Sequence, residues 1–154
     1  PGPLAAPAPR TRVKLNYILQ LQQAARNDER AEAQAILGNL ARIRVGRRPG
    51  DQAVEGALAE AQVELAIRDT AAAITRLDGF LDGFASIGVD LTERTVAAGS
   101  LVRLMALRAR LAEATGDRSV ARKWAGDVVT LWERADPGLL PVVNEMRAIA
   151  TRPS

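Results

Sequence analysis

Few side chains in this sequence could do chemistry, and the best placed are the two aspartates of "DGFLDG". Asp78 and Asp82 stand four residues apart, a spacing that puts both on one face of a helix. Asp90 and Glu93 follow shortly after. Paired carboxylates can exchange protons with a substrate or hold a hard cation, provided other groups meet them at defined geometry. Such helpers are scarce. The chain has no histidine and no cysteine, which removes the commonest general base, the commonest zinc ligand and every thiolate. The alternating acidic loop of an EF-hand is missing, and the dispersed glycines form no phosphate-cradling loop. A solvated acidic face is the plainer reading of Asp78 and Asp82. We expect a protein that is not an enzyme, with no cofactor and no metal.

Basic residues gather in "ARIRVGRRPG", at Arg42, Arg44, Arg47 and Arg48. Nucleic acid would favour such a patch beside stacking aromatics or a recognition helix, and neither lies nearby. Cations at a helix C-terminus complement its dipole, which accounts for the cluster. Arg47 and Arg48 remain candidates for contact with a protein, and a nucleic-acid partner is not expected. Glu60, Glu64 and Arg68 fit an exposed helix face, with Glu64 and Arg68 in the favourable order for an ion pair.

The elements that would carry these residues are helices. Apolar residues make up 47% of the chain, much of it alanine, and aromatics only 3%. Val13, Tyr17, Leu21 and Ala24 open a helical stripe, and "RNDER" marks a corner before "AEAQAILGNLARIRV". "GRRPGD" closes that pair with helix-stop residues. "QAVEGALAEAQVELAI" turns at Arg68-Asp69 into "TAAAITRLDGFLDGFA", and after "SIGVDL", where Asp90 or Thr92 could cap, comes a long helix broken at "TGD". Six helices in three hairpins, with a closing seventh, account for nearly the whole chain. Placing Ala31, Ala73 and Ala121 in register makes the hairpins alike. Ala35, Leu77 and Ala125 follow, then Gly38, Phe80 and Val128; Leu19, Ala61 and Ala109 precede them, and Leu15, Ala57 and Met105 before those. An alanine just after each turn would let the second helix lie close against the first.

The pattern resembles the tetratricopeptide repeat family, whose unit is a helix-turn-helix of about 34 residues. The last unit, "LRARLAEATGDRSVARKWAGDVVTLWERADP", carries the likeness in its Gly116-Asp117 turn, in Ala121 and in the closing Asp136-Pro137. The earlier units match only around Ala31 and Ala73. Ala109 stands where the family favours glycine, and the unit spacings of 42 and 48 exceed the family period. The end, "LWERADPGLLPVVNEMRAIATR", looks like the closing segment of repeat arrays attached to bacterial serine/threonine kinases and transcriptional regulators. The resemblance implies an all-α array of about three antiparallel helical hairpins, an α-solenoid, closed by a C-terminal helix. It also implies a bacterial protein that binds or senses other proteins. Trp124 and Trp132, eight residues apart, would give the closing helix a surface to dock on. That helix would start near Pro141 and bury Leu139 or Val143, Met146 and Ile149 or Ala150.

Two function classes follow. The first is a non-catalytic scaffold for protein–protein interaction, contacted at polar positions on the first helix of each hairpin, such as Gln20, Glu60 and Arg108. The second is a self-assembling subunit of a filament or ring. Its motives are a sign-alternating charge, net +6 over residues 1–50, −6 over 51–99 and +3 over 100–154, and the proline-rich opening "PGPLAAPAPR". Residues 1–11 read as an extended tail or linker and 12–154 as the helical-repeat domain. In the tail, Leu4, Arg10 and Arg12 would meet the acidic middle of a neighbouring copy, making a homo-oligomer. No apolar run is long enough to span a membrane. The chain begins at proline, so it reads as processed or as a piece of something longer; its compartment, cytoplasmic or extracytoplasmic, stays open.

Overall fold

A chain rich in alanine, leucine and arginine, with hardly any β-branched run, favours helix throughout. The structure, a computed structural model, describes residues 19–20, 23, 30–43, 54–84 and 95–152. Among these residues lie six α-helices: α1 Arg30–Ile43, α2 Val54–Ala66, α3 Thr70–Phe84, α4 Thr95–Thr115, α5 Arg118–Leu131 and α6 Leu140–Thr151. A 3-10 turn, Pro137–Leu139, leads into α6, and no strand occurs among the described residues. The fold is all-α, held by helix-on-helix packing. The expectations for the tail, for the Val13–Ala24 stripe, for "RNDER", for "GRRPGD" and for caps at Asp90 or Thr92 lie outside the described residues.

Two compact units divide the chain, with boundaries inside α2 and α3. The first includes α1 and Ala59–Ala73. Its core gathers Ala33 and Leu37 of α1 with Val63 and Ile67, and Ile36 and Leu40 pack against the edge. This corrects the register expected for α1. Ala31, Ala35 and Gly38 face solvent, as does Leu19, and the buried stripe runs two residues later through Ala33 and Leu37.

One bond pattern builds two turns. After α2, Arg68 takes a left-handed conformation at φ 62°. The Arg68 amide donates to the Leu65 carbonyl at 3.0 Å, and the Asp69 amide to that of Glu64 at 2.7 Å. After α4, Gly116 is left-handed at φ 82°. There the Gly116 amide donates to Glu113 at 3.3 Å and the Asp117 amide to Ala112 at 2.8 Å. These are the paired bonds of the Schellman stop, which satisfy carbonyls the helix end leaves free. The next residue starts the following helix. Asp69 Oδ1 accepts from the Ala72 amide at 3.0 Å, and Asp117 Oδ1 from the Val120 amide at 3.2 Å, each an N-cap. Four residues past each aspartate sits an alanine with no exposed surface, Ala73 or Ala121.

The second unit includes Ile74–Ser154. Within it α5 packs on both α4 and α6, and α4 also touches α6. From α4 the buried side chains include Leu104, Met105, Ala109 and Ala112, and from α5 Ala121, Ala125 and Val128. Helix α6 buries Val143, Met146 and Ile149, the stripe its sequence predicts. It begins at Leu140, one residue ahead of Pro141, which lies in its first turn as proline's fixed φ allows. The tryptophans differ from expectation. Trp124 and Trp132 are only half-buried, so the surface of α5 that packing covers is made of alanine and valine. Trp132 ends α5, its amide bonded to the Val128 carbonyl at 2.9 Å, and the Lys123 ammonium lies 4.4 Å from the centre of the Trp124 ring.

The two turns should respond oppositely to substitution. A Cβ on Gly116 would meet no atom within 4 Å, so Gly116→Ala should lose only backbone energy, about 1 kcal/mol. Arg68→Gly should instead gain up to about 1 kcal/mol by relieving the left-handed arginine. Urea unfolding of the two variants checks both signs.

Candidate functional site

Polar residues on buried helix faces are the places where this alanine-rich fold could do more than pack. On α4, Met105, Arg108, Ala109 and Ala112 follow the helical period, so Arg108 belongs to the buried stripe. Its side chain is 7% exposed and reaches Asp78 on α3, whose side chain is 40% exposed. Arg108 Nε donates to Asp78 Oδ1 at 2.6 Å and Nη2 to Oδ2 at 3.1 Å. This is the two-bond fork that guanidinium and carboxylate form best. The aspartate first considered for acid–base or cation chemistry is therefore engaged by a permanent cation. Asp82, one turn further along α3, faces solvent. Among the described residues no group of three histidines, cysteines, aspartates or glutamates is placed to hold a metal.

The other predicted positions fall in different environments. Gln20 is exposed. Glu60 and Glu64 are 3% and 4% exposed, which corrects their assignment to a solvent-facing side. No buried side-chain nitrogen or oxygen among the described residues lacks a hydrogen-bond partner. Glu60 and Arg108 are thus interior groups, not open contact points on a helix surface. Arg68 is exposed, held at the left-handed turn rather than on a helix face. Leu4, Arg10, Arg12, Arg47 and Arg48 lie outside the described residues. Sequence reasoning missed the Asp78–Arg108 pair, although the place of Arg108 in an otherwise apolar period was a usable signal.

On the outer side of the same unit a second fork joins α4 to α6. Arg110 Nε donates to Glu145 Oε1 at 2.7 Å and Nη2 to Oε2 at 2.6 Å. The hydrogen bond from Arg110 holds the Glu145 carboxyl below its ordinary range, and the same bond raises Arg110. Arg152 also pairs with Glu113, so two ion pairs tie α6 to α4. Large apolar side chains remain open to solvent at Leu131, which ends α5, at Leu140, which starts α6, and at Ile43, which ends α1. No helix among the described residues is long and apolar enough to cross a membrane.

No protein-family model, no curated protein and no solved structure matches this chain. The class that the fold defines is an all-α protein whose helices are packed through small side chains.

The Arg110–Glu145 fork makes a pH prediction. A carboxyl lowered by folding stabilises the fold above its unfolded pKa, near 4.3, and loses that contribution as pH falls through its folded value. Both side chains are partly exposed, so the pair should contribute roughly 0.2–1 kcal/mol. Glu145→Gln should therefore lower stability by that amount at pH 7 in low salt. The gap between variant and parent should narrow as pH falls below the unfolded value, close once pH passes the lowered folded pKa of Glu145, and shrink in high salt, as read by denaturant unfolding at each condition.

Proposed function

We propose that this chain is a helical-repeat scaffold of the tetratricopeptide kind, about three antiparallel hairpins closed by α6, which binds other proteins and performs no reaction of its own. One observation carries the reading. Two turns, 48 residues apart in the sequence, share a left-handed stop residue, an aspartate N-cap and a fully buried alanine four residues on. Repeat proteins reuse one supersecondary unit in this way because each unit needs a neighbour to cover its apolar face. Burial supports the same register further out. Ala57, Ala61, Ala73, Leu77 and Phe80 are buried, and so are Met105, Ala109, Ala121, Ala125 and Val128 at the matching places.

Helix α6 suits the end of such an array. Its inner side buries Val143, Met146 and Ile149, while Asn144, Glu145, Arg147 and Ala148 face solvent. Terminal units need a mostly polar outer face to remain soluble. On the first helix of each hairpin an exposed polar position would be a contact point for a partner, Gln62 on α2 and Arg103 on α4.

A photoreactive amino acid placed singly at Gln62, Arg103 or Ala148 tests this reading in a bacterial lysate. The scaffold reading expects discrete adducts with other polypeptides from position 62 or 103 and none from position 148 on the outer face of α6. Adducts only between two copies of this chain would favour self-assembly instead. Absence of adducts at every position would remove the scaffold reading.

A further inference from the structure

We infer that the seat on α4 and α5 that holds α6 also accepts α6 of a second copy of this chain, so that two copies associate by exchanging their last helices. The chain ties α6 to α5 far more loosely than it ties α5 to α4. Asp117 closes α4 with its amide and caps α5 with its carboxylate, which leaves α5 one place to go. Helix α6 has no such tether. Eight residues, 132–139, separate it from α5. Neither Asp136, ahead of the 3-10 turn, nor Leu139, ahead of α6, makes a side-chain cap. In this connection the Ala135 amide donates to the Trp132 carbonyl at 3.1 Å and the Leu139 amide to that of Asp136 at 2.8 Å. Those bonds are local and hold no helix against another. Pro137 and Pro141 bar α5 from running on into α6 as one regular helix, so α6 stays a separate piece. Stretched, eight residues reach about 26 Å. The whole of α6, with 12 residues, is about 18 Å long.

What seats α6 is therefore its own surface. Helix α6 packs on α5 and touches α4, and it buries Val143, Met146 and Ile149. Glu145 takes the fork from Arg110, and Arg152 pairs with Glu113. These contacts do not involve the connection, so α6 of another copy satisfies them equally. Exchange of an identical element is a low-cost route to a dimer for that reason. The apolar surface left uncovered lies at the two ends of the connection. Leu131 at its start is 56% exposed and Leu140 at its end 45%, with Trp132 and Leu139 half-buried between them. A chain folded alone leaves both leucines in water. Exchange makes two connections cross between the same two copies, which brings the leucines of both together and gives the pair an apolar contact that one copy lacks. This inference rests on α4, α5 and α6 alone and stands whether or not the chain is a scaffold.

The chain has no cysteine, so single thiols can report which copy supplies α6. One protein carries Arg110→Cys and another Glu145→Cys, the two ends of the fork. The two are unfolded, mixed, refolded together at high concentration, separated by size exclusion and treated with a short bismaleimide. The dimer fraction should link position 110 of one copy to position 145 of the other, as read by peptide mass, and the monomer fraction should not. Leu131→Ser with Leu140→Ser should lower the dimer fraction severalfold while the monomer keeps its helical circular dichroism. Deleting residues 133–139 leaves a single residue between the helices, fewer than the shortest helix hairpins use, about two. That variant should be mainly dimer. A dimer fraction without the link between 110 and 145 would mean that copies meet through another surface and would overturn the inference. So would a full-length chain that stays monomeric at every concentration, or a deletion variant that folds as a monomer.

Discussion

Helices α4, α5 and α6 lie against one another through side chains that scarcely protrude. Ala109, Ala112, Ala121 and Ala125 have no exposed surface, and Val102, Met105, Val128, Val143, Met146, Ile149 and two leucines add bulk around them. Small residues at a helix interface let the axes approach the short end of the usual 8–10 Å range, where dispersion attraction between backbones can replace what large side chains supply elsewhere. That constraint reaches back to the turns. A helix can be brought so close to its predecessor only if the reversal is short. The shared stop-and-cap at Gly116-Asp117 is short because Asp117 finishes one helix with its amide and starts the next with its carboxylate.

Polar groups inherit their roles from the same geometry. Arg108 takes a place in the buried stripe of α4, and its guanidinium meets the half-exposed carboxylate of Asp78. On the outside, where room is unlimited, Arg110 with Glu145 and Arg152 with Glu113 bind α6 to α4 through exposed ion pairs. The Asp78–Arg108 pair, with its guanidinium buried and its carboxylate 40% exposed, is demanding in geometry, whereas the exterior pairs cost little and contribute little.

Among the described residues, the helix positions, both turns and the closing stripe of α6 were legible in the sequence because each has a local cause. Gly116 and Asp117 stop and cap, and Val143, Met146 and Ile149 repeat at the helical period. The register of α1 was not legible from its alanines. Ala31, Ala33 and Ala35 are identical side chains two apart, so only the bulkier Leu37, four residues after Ala33, could have broken the tie. Charged residues misled for a related reason. Glu60 and Glu64 continue the period of Ala57 and Ala61, and Arg108 that of Met105 and Ala112. Charge type argued for solvent while position argued for the interior, and position prevailed once partners were supplied. Trp132 erred the other way, since its size suggested a buried anchor and the helix ends at it instead.

If close approach at alanine holds the fold together, adding volume there must cost more than adding it outside. Ala121→Leu keeps helix propensity nearly constant and forces a large side chain into the place where α5 has no exposed surface. Ala148→Leu makes the same change on the exposed side of α6. Guanidinium unfolding of the two variants beside the parent is the direct measurement. Ala121→Leu should lose about 1–3 kcal/mol, and Ala148→Leu should stay within about 0.5 kcal/mol of the parent. Equal midpoints for all three proteins would contradict the claim that alanine-to-helix contact is what packs this fold.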